Sequence, residues 1–169
     1  MIEVLQNLLN LPFWSKFADI HGMLAMLSLI LFGAGIVLYF IVKKNPEFIS
    51  WLKAVLIVLF ANLALLDIFG LTVYIPYRAE GGPRSVLKAS EATAWLHGVV
   101  FEHKEFMAFA PPLLILVAFI VTETVGKNWS SDKVAFLRKS VIFSLVAALI
   151  IVLIVAAEGV IVTKVAPVE

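Results

Sequence analysis

The stretch that decides the fold is FADIHGMLAMLSLILFGAGIVLYFIV, residues 17–42. From Gly22 to Val42 it carries no charged side chain, and about 20 apolar residues suffice for a helix to cross a bilayer. Apolar residues surround the whole circumference of such a helix rather than one stripe, which is typical of a helix in lipid. The stretch therefore predicts a transmembrane helix.

Three further stretches have the same character, so the chain predicts four spans. Of its 169 residues, 62% are hydrophobic and 15% are charged, against roughly half and a quarter in a soluble domain. We therefore expect one all-α integral membrane domain over residues 1–169, folded as a transmembrane four-helix bundle in the lipid bilayer. The expected spans are Phe17–Val42, Trp51–Ile75, Glu91–Val125 and Ala135–Val162.

The third span is longer than a bilayer requires. Ser90 is a typical helix N-cap residue and Glu91 follows it in the first turn. A helix over 91–125 is about 50 Å long at 1.5 Å per residue, whereas the hydrocarbon core is about 30 Å thick. We expect the first turns of this helix to protrude from the membrane.

The composition excludes several classes of function. The chain has no cysteine, which excludes disulfides, covalent Cys-x-x-Cys-His haem attachment and iron–sulfur ligation within it. A formal net charge of +1 argues against nucleic acid as a partner. The first residues, MIEVLQNLLNLPFW, lack a basic region and a small-residue cleavage site. We expect an amphipathic segment on the membrane surface there, rather than a cleaved signal peptide.

The loops predict an orientation. Two short loops, KKNPEFIS and GKNWSSDK, share one face, while both termini and the long loop PYRAEGGPRSVLKAS share the other. The positive-inside rule then favours a multi-pass protein of the plasma membrane with the short loops in the cytoplasm and the termini and long loop outside. The basic residues on the short-loop face are Lys43, Lys44, Lys53, Lys127, Lys133, Arg138 and Lys139, and those on the other face are Lys16, Arg78, Arg84, Lys88, Lys104 and Lys164.

Each predicted helix carries an ionisable residue near the long-loop end. Counted from the basic short-loop end, His21, Asp67, His103 and Glu158 reach matched depths on four different helices. Ionisable side chains inside a span are costly, face the bundle interior by default and mark function. Their convergence predicts one polar site at the long-loop end.

The motif HGVVFEHKEF, residues 97–106, is the third helix's share of this site. At 100° per residue, Glu102 and Glu105 lie on one face of an α-helix and His97 and Lys104 on another. Lys104 is expected to pair with a glutamate of another helix or to extend to the interface. The expected polar cluster comprises Asp67, Glu102, Lys104, Glu105 and Glu158.

Two histidines on different helices at matched depth are what a bis-histidine haem site needs. The sequence predicts one non-covalent haem b with His21 and His103 as axial ligands. His97 is the substitute ligand if the third helix lies deeper in the membrane. Arg78 and Arg84 on the long-loop face are the expected partners of the haem propionates.

Three alternatives remain open at this stage. A non-haem metal site is possible, although the Glu-x-x-His spacing of di-iron bundles does not occur. The carboxylates also suit a proton-handling half-channel that serves quinone chemistry. A haem-free accessory or assembly subunit of a larger membrane complex, held by buried ion pairs, is the third alternative.

The four spans, together with His21, His97 and His103, resemble the small four-helix membrane b-type cytochromes. The resemblance implies haem b held by histidines of neighbouring helices, with electrons passing between quinones and other carriers. Two-haem members carry histidines near both membrane faces, whereas this chain has none on the short-loop side. The resemblance therefore implies at most one haem and a redox partner protein or a larger complex.

Overall fold

The computed structural model of the protein describes residues 13–166, apart from the side chain of Lys127. It is built from helices, and no strand occurs in that range, so the predicted all-α fold is confirmed. The surface segment was predicted over residues 1–14; its residues 1–12 lie outside the described residues, and Phe13 and Trp14 begin the first helix. The helices are α1 (Phe13–Lys44), α2 (Ile49–Arg78), α3 (Pro83–Lys88), α4 (Glu91–Trp95), α5 (Glu102–Ala108), α6 (Ala110–Val125) and α7 (Ala135–Val165).

Four segments are long and apolar enough to cross a membrane, which confirms a multi-pass membrane protein. The third begins at Glu91, as the sequence predicts, and the Ser90 hydroxyl accepts the backbone N–H of Ala92. Many large apolar side chains on the outside of the bundle are exposed, as contact with lipid requires. The four segments are Phe13–Lys44, Pro46–Arg78, Glu91–Val125 and Asp132–Val165.

The third span is not one regular α-helix. A π-helical segment, Leu96–Phe101, joins α4 to α5, and π-turns are rare insertions that often occur at functional sites. A second interruption falls at Phe109, between α5 and α6. Pro111 and Pro112 follow it, and proline removes the backbone N–H that would continue the ladder.

The half of the bundle nearer the short loops is close-packed. Phe32, Leu56, Ile115 and Leu145, one from each span, are fully buried together there. The spans follow one another around the bundle as antiparallel neighbours, and α7 returns beside α1. The contact between α1 and α7 is the smallest of the four. A Cβ on Gly35 of α1 would stand 3.2 Å from Leu145 Cδ2, so these two helices touch at the short-loop end.

A buried polar cross-link holds α1 to α2 at mid-bundle. The Asn62 amide donates to Ser28 Oγ over 2.7 Å and to the Leu24 carbonyl over 3.0 Å. Ser28 Oγ in turn donates to the same carbonyl over 3.0 Å. These bonds satisfy the buried polar groups within the pair, so Asn62 has a structural role.

Candidate functional site

A cavity of about 710 Å³ occupies the half of the bundle nearer the long loop. All four spans contribute to its walls, and ligand sites between the helices of bundles have volumes of roughly 300–1,000 Å³. Apolar side chains, including Leu63, Pro111 and Val152, line its inner end. The ionisable side chains on its lining are His21, Asp67, Lys104, Glu105 and Lys164.

The cavity lies in one leaflet of the membrane. Leu63, at its inner end, follows Lys53 of the short-loop face by ten residues, or about 15 Å along a helix. That is near the middle of a hydrocarbon core about 30 Å thick. Lys164, at the outer end, is in the last turn of α7. The cavity thus runs from mid-membrane to the long-loop face.

His21 of α1 is held in a defined orientation on the cavity wall. Its Nδ1 lies 3.0 Å from the carbonyl oxygen of Leu66 on α2. Because a carbonyl only accepts, Nδ1 carries the proton and Nε2 of the neutral ring has a free lone pair. The ring packs on Gly70, where a Cβ would come within 3.1 Å of Cε1. Gly70 therefore makes room for the imidazole.

Asp67 of α2 lies beside this histidine contact and also lines the cavity. Within residues 13–166 its carboxyl group makes no hydrogen bond or ion pair. A carboxylate in an apolar site is costly unless something binds it. Asp67 is therefore a group that a ligand or water in the cavity would satisfy.

Lys104 and Glu105 reach the cavity from α5. The Lys104 side chain passes Gly159 of α7, where a Cβ would meet its Cε at 3.4 Å. Its ammonium lies 5.5 Å from the centre of the Phe101 ring, within the range of a cation–π interaction. In the described residues no ion pair within 4 Å joins Lys104 to Glu158, so the first of the two expected alternatives, pairing with a glutamate of another helix, is not formed there. The Lys104 amine is therefore available to a ligand in the cavity.

Glu105 connects the cavity to the long-loop surface. It accepts a hydrogen bond of 3.3 Å from the Tyr74 hydroxyl and lies 3.9 Å from the Arg78 guanidinium. Arg78 is partly exposed and stacks over the Tyr74 ring at 4.3 Å. The guanidinium predicted to hold a propionate is thus engaged at the cavity's edge with Glu105 and Tyr74.

His103 lies outside the cavity lining. Its Nδ1 is 2.6 Å from Glu158 Oε1, and the two side chains are 49% and 17% exposed. The second oxygen of Glu158 is buried without a partner among the described residues. The structure therefore does not bring His103 and His21 to a common slot. Glu102, also predicted for the cluster, is exposed and does not line the cavity.

His97 is 1% exposed and both of its ring nitrogens are engaged. Arg84 Nε–H donates to Nε2 over 3.3 Å, and Nδ1 lies 2.9 Å from the Tyr77 hydroxyl. Since arginine only donates, Nε2 is the acceptor and Nδ1–H donates to the Tyr77 oxygen. In this arrangement His97 offers no lone pair to iron, and Arg84 is held at His97 rather than at the cavity.

An aromatic stack separates His97 from the cavity. The Phe101 ring lies parallel to Tyr77 at 3.9 Å and parallel to Tyr74 at 5.7 Å between centroids. Phe101 and Tyr74 line the cavity, whereas Tyr77 contacts His97. The stack forms the outer wall of the site.

Sequence reasoning missed several lining residues, among them Gly70 and Tyr74. They follow Asp67 by three and seven residues, so all three lie on one face of α2. That spacing could have predicted Gly70 and Tyr74 as lining residues once Asp67 was assigned to the site. Lys164, another lining residue, was counted only as a surface charge.

The site offers a definite set of chemical groups. His21 supplies one lone pair, Asp67 and Glu105 supply carboxyl groups, and Lys104 supplies an amine, all on apolar walls. Within residues 13–166, no three His, Asp or Glu side chains are grouped so that they could hold a metal ion. The set suits a lipid-soluble ligand with a small polar part.

No family model, curated protein or solved structure matches the chain. The resemblance to b-type cytochromes therefore rests on the spans and the histidines alone. The cavity and the side chains that line it are the features that bear on function.

Proposed function

We propose that the protein is a membrane electron-transfer protein, or a subunit of a larger redox complex, whose cavity binds a quinone. The observation that carries the proposal is the convergence of His21, Asp67 and Lys104 from three helices on one apolar cavity. Binding sites for small organic ligands are largely apolar with a few convergent polar groups. A quinone is likewise mostly apolar and carries a few polar atoms, the two carbonyl oxygens on its ring.

The three side chains suit both redox states of a quinone. The ammonium of Lys104 donates a hydrogen bond to a quinone carbonyl oxygen. When a quinol is bound, its two O–H groups donate hydrogen bonds to the free Nε2 of His21 and to the Asp67 carboxylate. Oxidation of the quinol to the quinone then sends two protons to these acceptors and two electrons, in two successive one-electron transfers, to one-electron acceptors such as haem or iron–sulfur centres of a partner subunit, each reoxidised between transfers. Reduction follows the same route in reverse.

A haem b in the same cavity is the second candidate, and the geometry of His21 favours it. Metal-ligating histidines donate their other ring N–H to a carbonyl or carboxylate, as Nδ1 of His21 does to Leu66. His21 would hold the haem iron, and the amines of Lys104 and Lys164 on the lining would pair with the haem carboxylates. Bound haem would supply one-electron transfer at this position. The predicted second ligand, His103, would have to leave Glu158.

The purified protein distinguishes the two candidates. We expect decylubiquinone or menadione to bind in isothermal titration calorimetry with one site per chain, and organic extracts to contain quinone. A haem would instead give a Soret band and a reduced α-band in the absorption spectrum. A colourless protein that binds neither quinone would contradict the proposed electron-transfer function and favour a purely structural subunit.

The orientation remains a proposal that the basic residues support: plasma membrane, with the short loops in the cytoplasm. The absence of native cysteine allows a direct test with single-cysteine variants. In intact cells, a membrane-impermeant maleimide should label Glu80→Cys in the long loop and leave Asp132→Cys unlabelled until the cells are permeabilised. The opposite labelling pattern would reverse the orientation.

A further inference from the structure

The two helices α1 and α7 part as they approach the long-loop face. They touch at Gly35 and Leu145 near the short loops. Farther along, each helix presents several small residues to the cavity beside larger ones such as His21 and Val155, and the small residues leave a gap between the two helices on the cavity side. The small lining residues are Ala18, Gly22 and Ala25 of α1, and Ala156 and Gly159 of α7.

This gap is open to the outside of the bundle. Gly22 and Ala156 line the cavity and are nevertheless exposed. Apart from its chain neighbours and the backbone of its own helix, a Cβ on Gly22 would meet nothing within 4 Å in residues 13–166. The other two spans also have exposed lining residues, but these are the bulky Leu71, Phe106 and Phe109. The small exposed pair Gly22 and Ala156 therefore marks the lateral opening between α1 and α7.

The opening lies at the outer edge of the hydrocarbon core, since Gly22 is 21 residues from Lys43 of the short-loop face, or about 32 Å along α1. Ala156 follows Lys139 of the short-loop face by 17 residues, or about 26 Å along α7, which is inside a hydrocarbon core about 30 Å thick. Exposed apolar side chains border it, with Met23 and Met26 next to Gly22 and Val160 one turn after Ala156, and the exposed Asp19 lies one turn closer to the long-loop face. Methionine adapts its shape to irregular apolar partners.

We propose that this opening is the route by which the isoprenoid chain of a quinone passes from the cavity into the bilayer. The inference rests on the proposed quinone site. The head group lies among His21, Asp67 and Lys104, and the chain leaves between Gly22 and Ala156 and lies along the methionines of α1. A slot bordered by glycine and alanine admits a narrow hydrocarbon chain while the bulkier head group stays inside.

Two pairs of tryptophan variants test the route. Gly22→Trp and Ala156→Trp each place a large ring in the opening. Gly33→Trp and Ala157→Trp are the controls, because these positions are exposed on the same helices but do not line the cavity, and Gly33 also has open space at its Cβ position. Gel filtration and thermal unfolding establish whether each variant is folded. If Gly22→Trp does not fold, Gly22→Leu replaces it as a smaller change.

The two ligands are decylubiquinone, which has a ten-carbon chain, and its chainless parent 2,3-dimethoxy-5-methylbenzoquinone. We expect Gly22→Trp and Ala156→Trp to weaken binding of decylubiquinone about tenfold or more, because the ring occupies the path of the chain. Binding of the chainless quinone should change less than about threefold, and the control variants should bind both ligands like the native protein.

Unchanged binding of decylubiquinone in both opening variants would show that the chain leaves elsewhere. Equal losses for the two ligands would also overturn the route, since the tryptophan would then obstruct the head group. If the native protein binds neither quinone, the proposed function fails as well, so the two failures are distinguishable.

Discussion

Replacement of His21 by alanine is expected to lower the affinity of the protein for quinol about 10- to 100-fold, the effect of leaving a buried hydrogen-bonding group unpaired. His21 is the histidine on the cavity lining, and its Nδ1 bond to the Leu66 carbonyl leaves Nε2 as an acceptor. Alanine removes that acceptor and leaves one quinol hydroxyl without its partner in the apolar cavity. If haem is the occupant, the same variant should lose the haem spectrum entirely.

The matched control for this prediction is His103→Ala. His103 is at a similar depth, but it binds Glu158 and does not line the cavity. Calorimetry with reduced decylubiquinone, and absorption spectra of the purified variants, should show a loss in His21→Ala alone. Equal losses in both variants would support the bis-histidine site that the sequence predicts and would contradict the arrangement of His103 described here.

Replacement of Phe101 by alanine is expected to lower the free energy of unfolding by about 3 kcal/mol, at the lower end of Phe→Ala effects in packed cores. Phe101 is 8% exposed and its ring lies parallel to both Tyr77 and Tyr74. Its loss opens a void in the outer wall of the cavity and removes the ring beneath the Lys104 ammonium. Unfolding by SDS in mixed micelles measures this change.

Phe106→Ala is the control for the aromatic stack. Phe106 lies in α5, five residues after Phe101. It also lines the cavity, but it is 80% exposed. Its truncation removes little packing, so the free energy of unfolding should change by less than about 0.5 kcal/mol. Similar destabilisation by both variants would mean that the stack contributes no more than a lipid-facing ring does.

Depth along the membrane could be predicted from the sequence, because each residue adds a nearly constant rise to a helix. Counting residues from the basic ends predicted that His21 and Asp67 reach the same level on different helices, and both line the cavity. The length and apolar character of the spans likewise predicted the four-helix fold. These arguments need only the number of residues between two points.

Direction around the helix axis was much less predictable for the third span. The prediction that His97 and Lys104 share a face assumed 100° per residue throughout. His97 instead lies in the π-helical segment Leu96–Phe101, which precedes Lys104. A π-turn closes over five residues instead of four, which changes the angular position of everything before it. His97 consequently contacts Tyr77 and Arg84, while Lys104 contacts Gly159 and the cavity. Nothing in LHGVVF marks a π-turn.

The close-packed short-loop half of the bundle has a consequence for energy coupling. It places a barrier of tightly fitted side chains between the cavity and the short-loop side. Among the described residues, the polar route from His21 and Asp67 to water therefore leads to the long-loop face, where Glu105, Arg78 and Lys164 lie. Under the proposed function, turnover of the quinone is therefore vectorial. Each quinol oxidised releases its protons on one side of the membrane, and the protein contributes to, or consumes, a transmembrane proton gradient according to the direction in which its electrons flow.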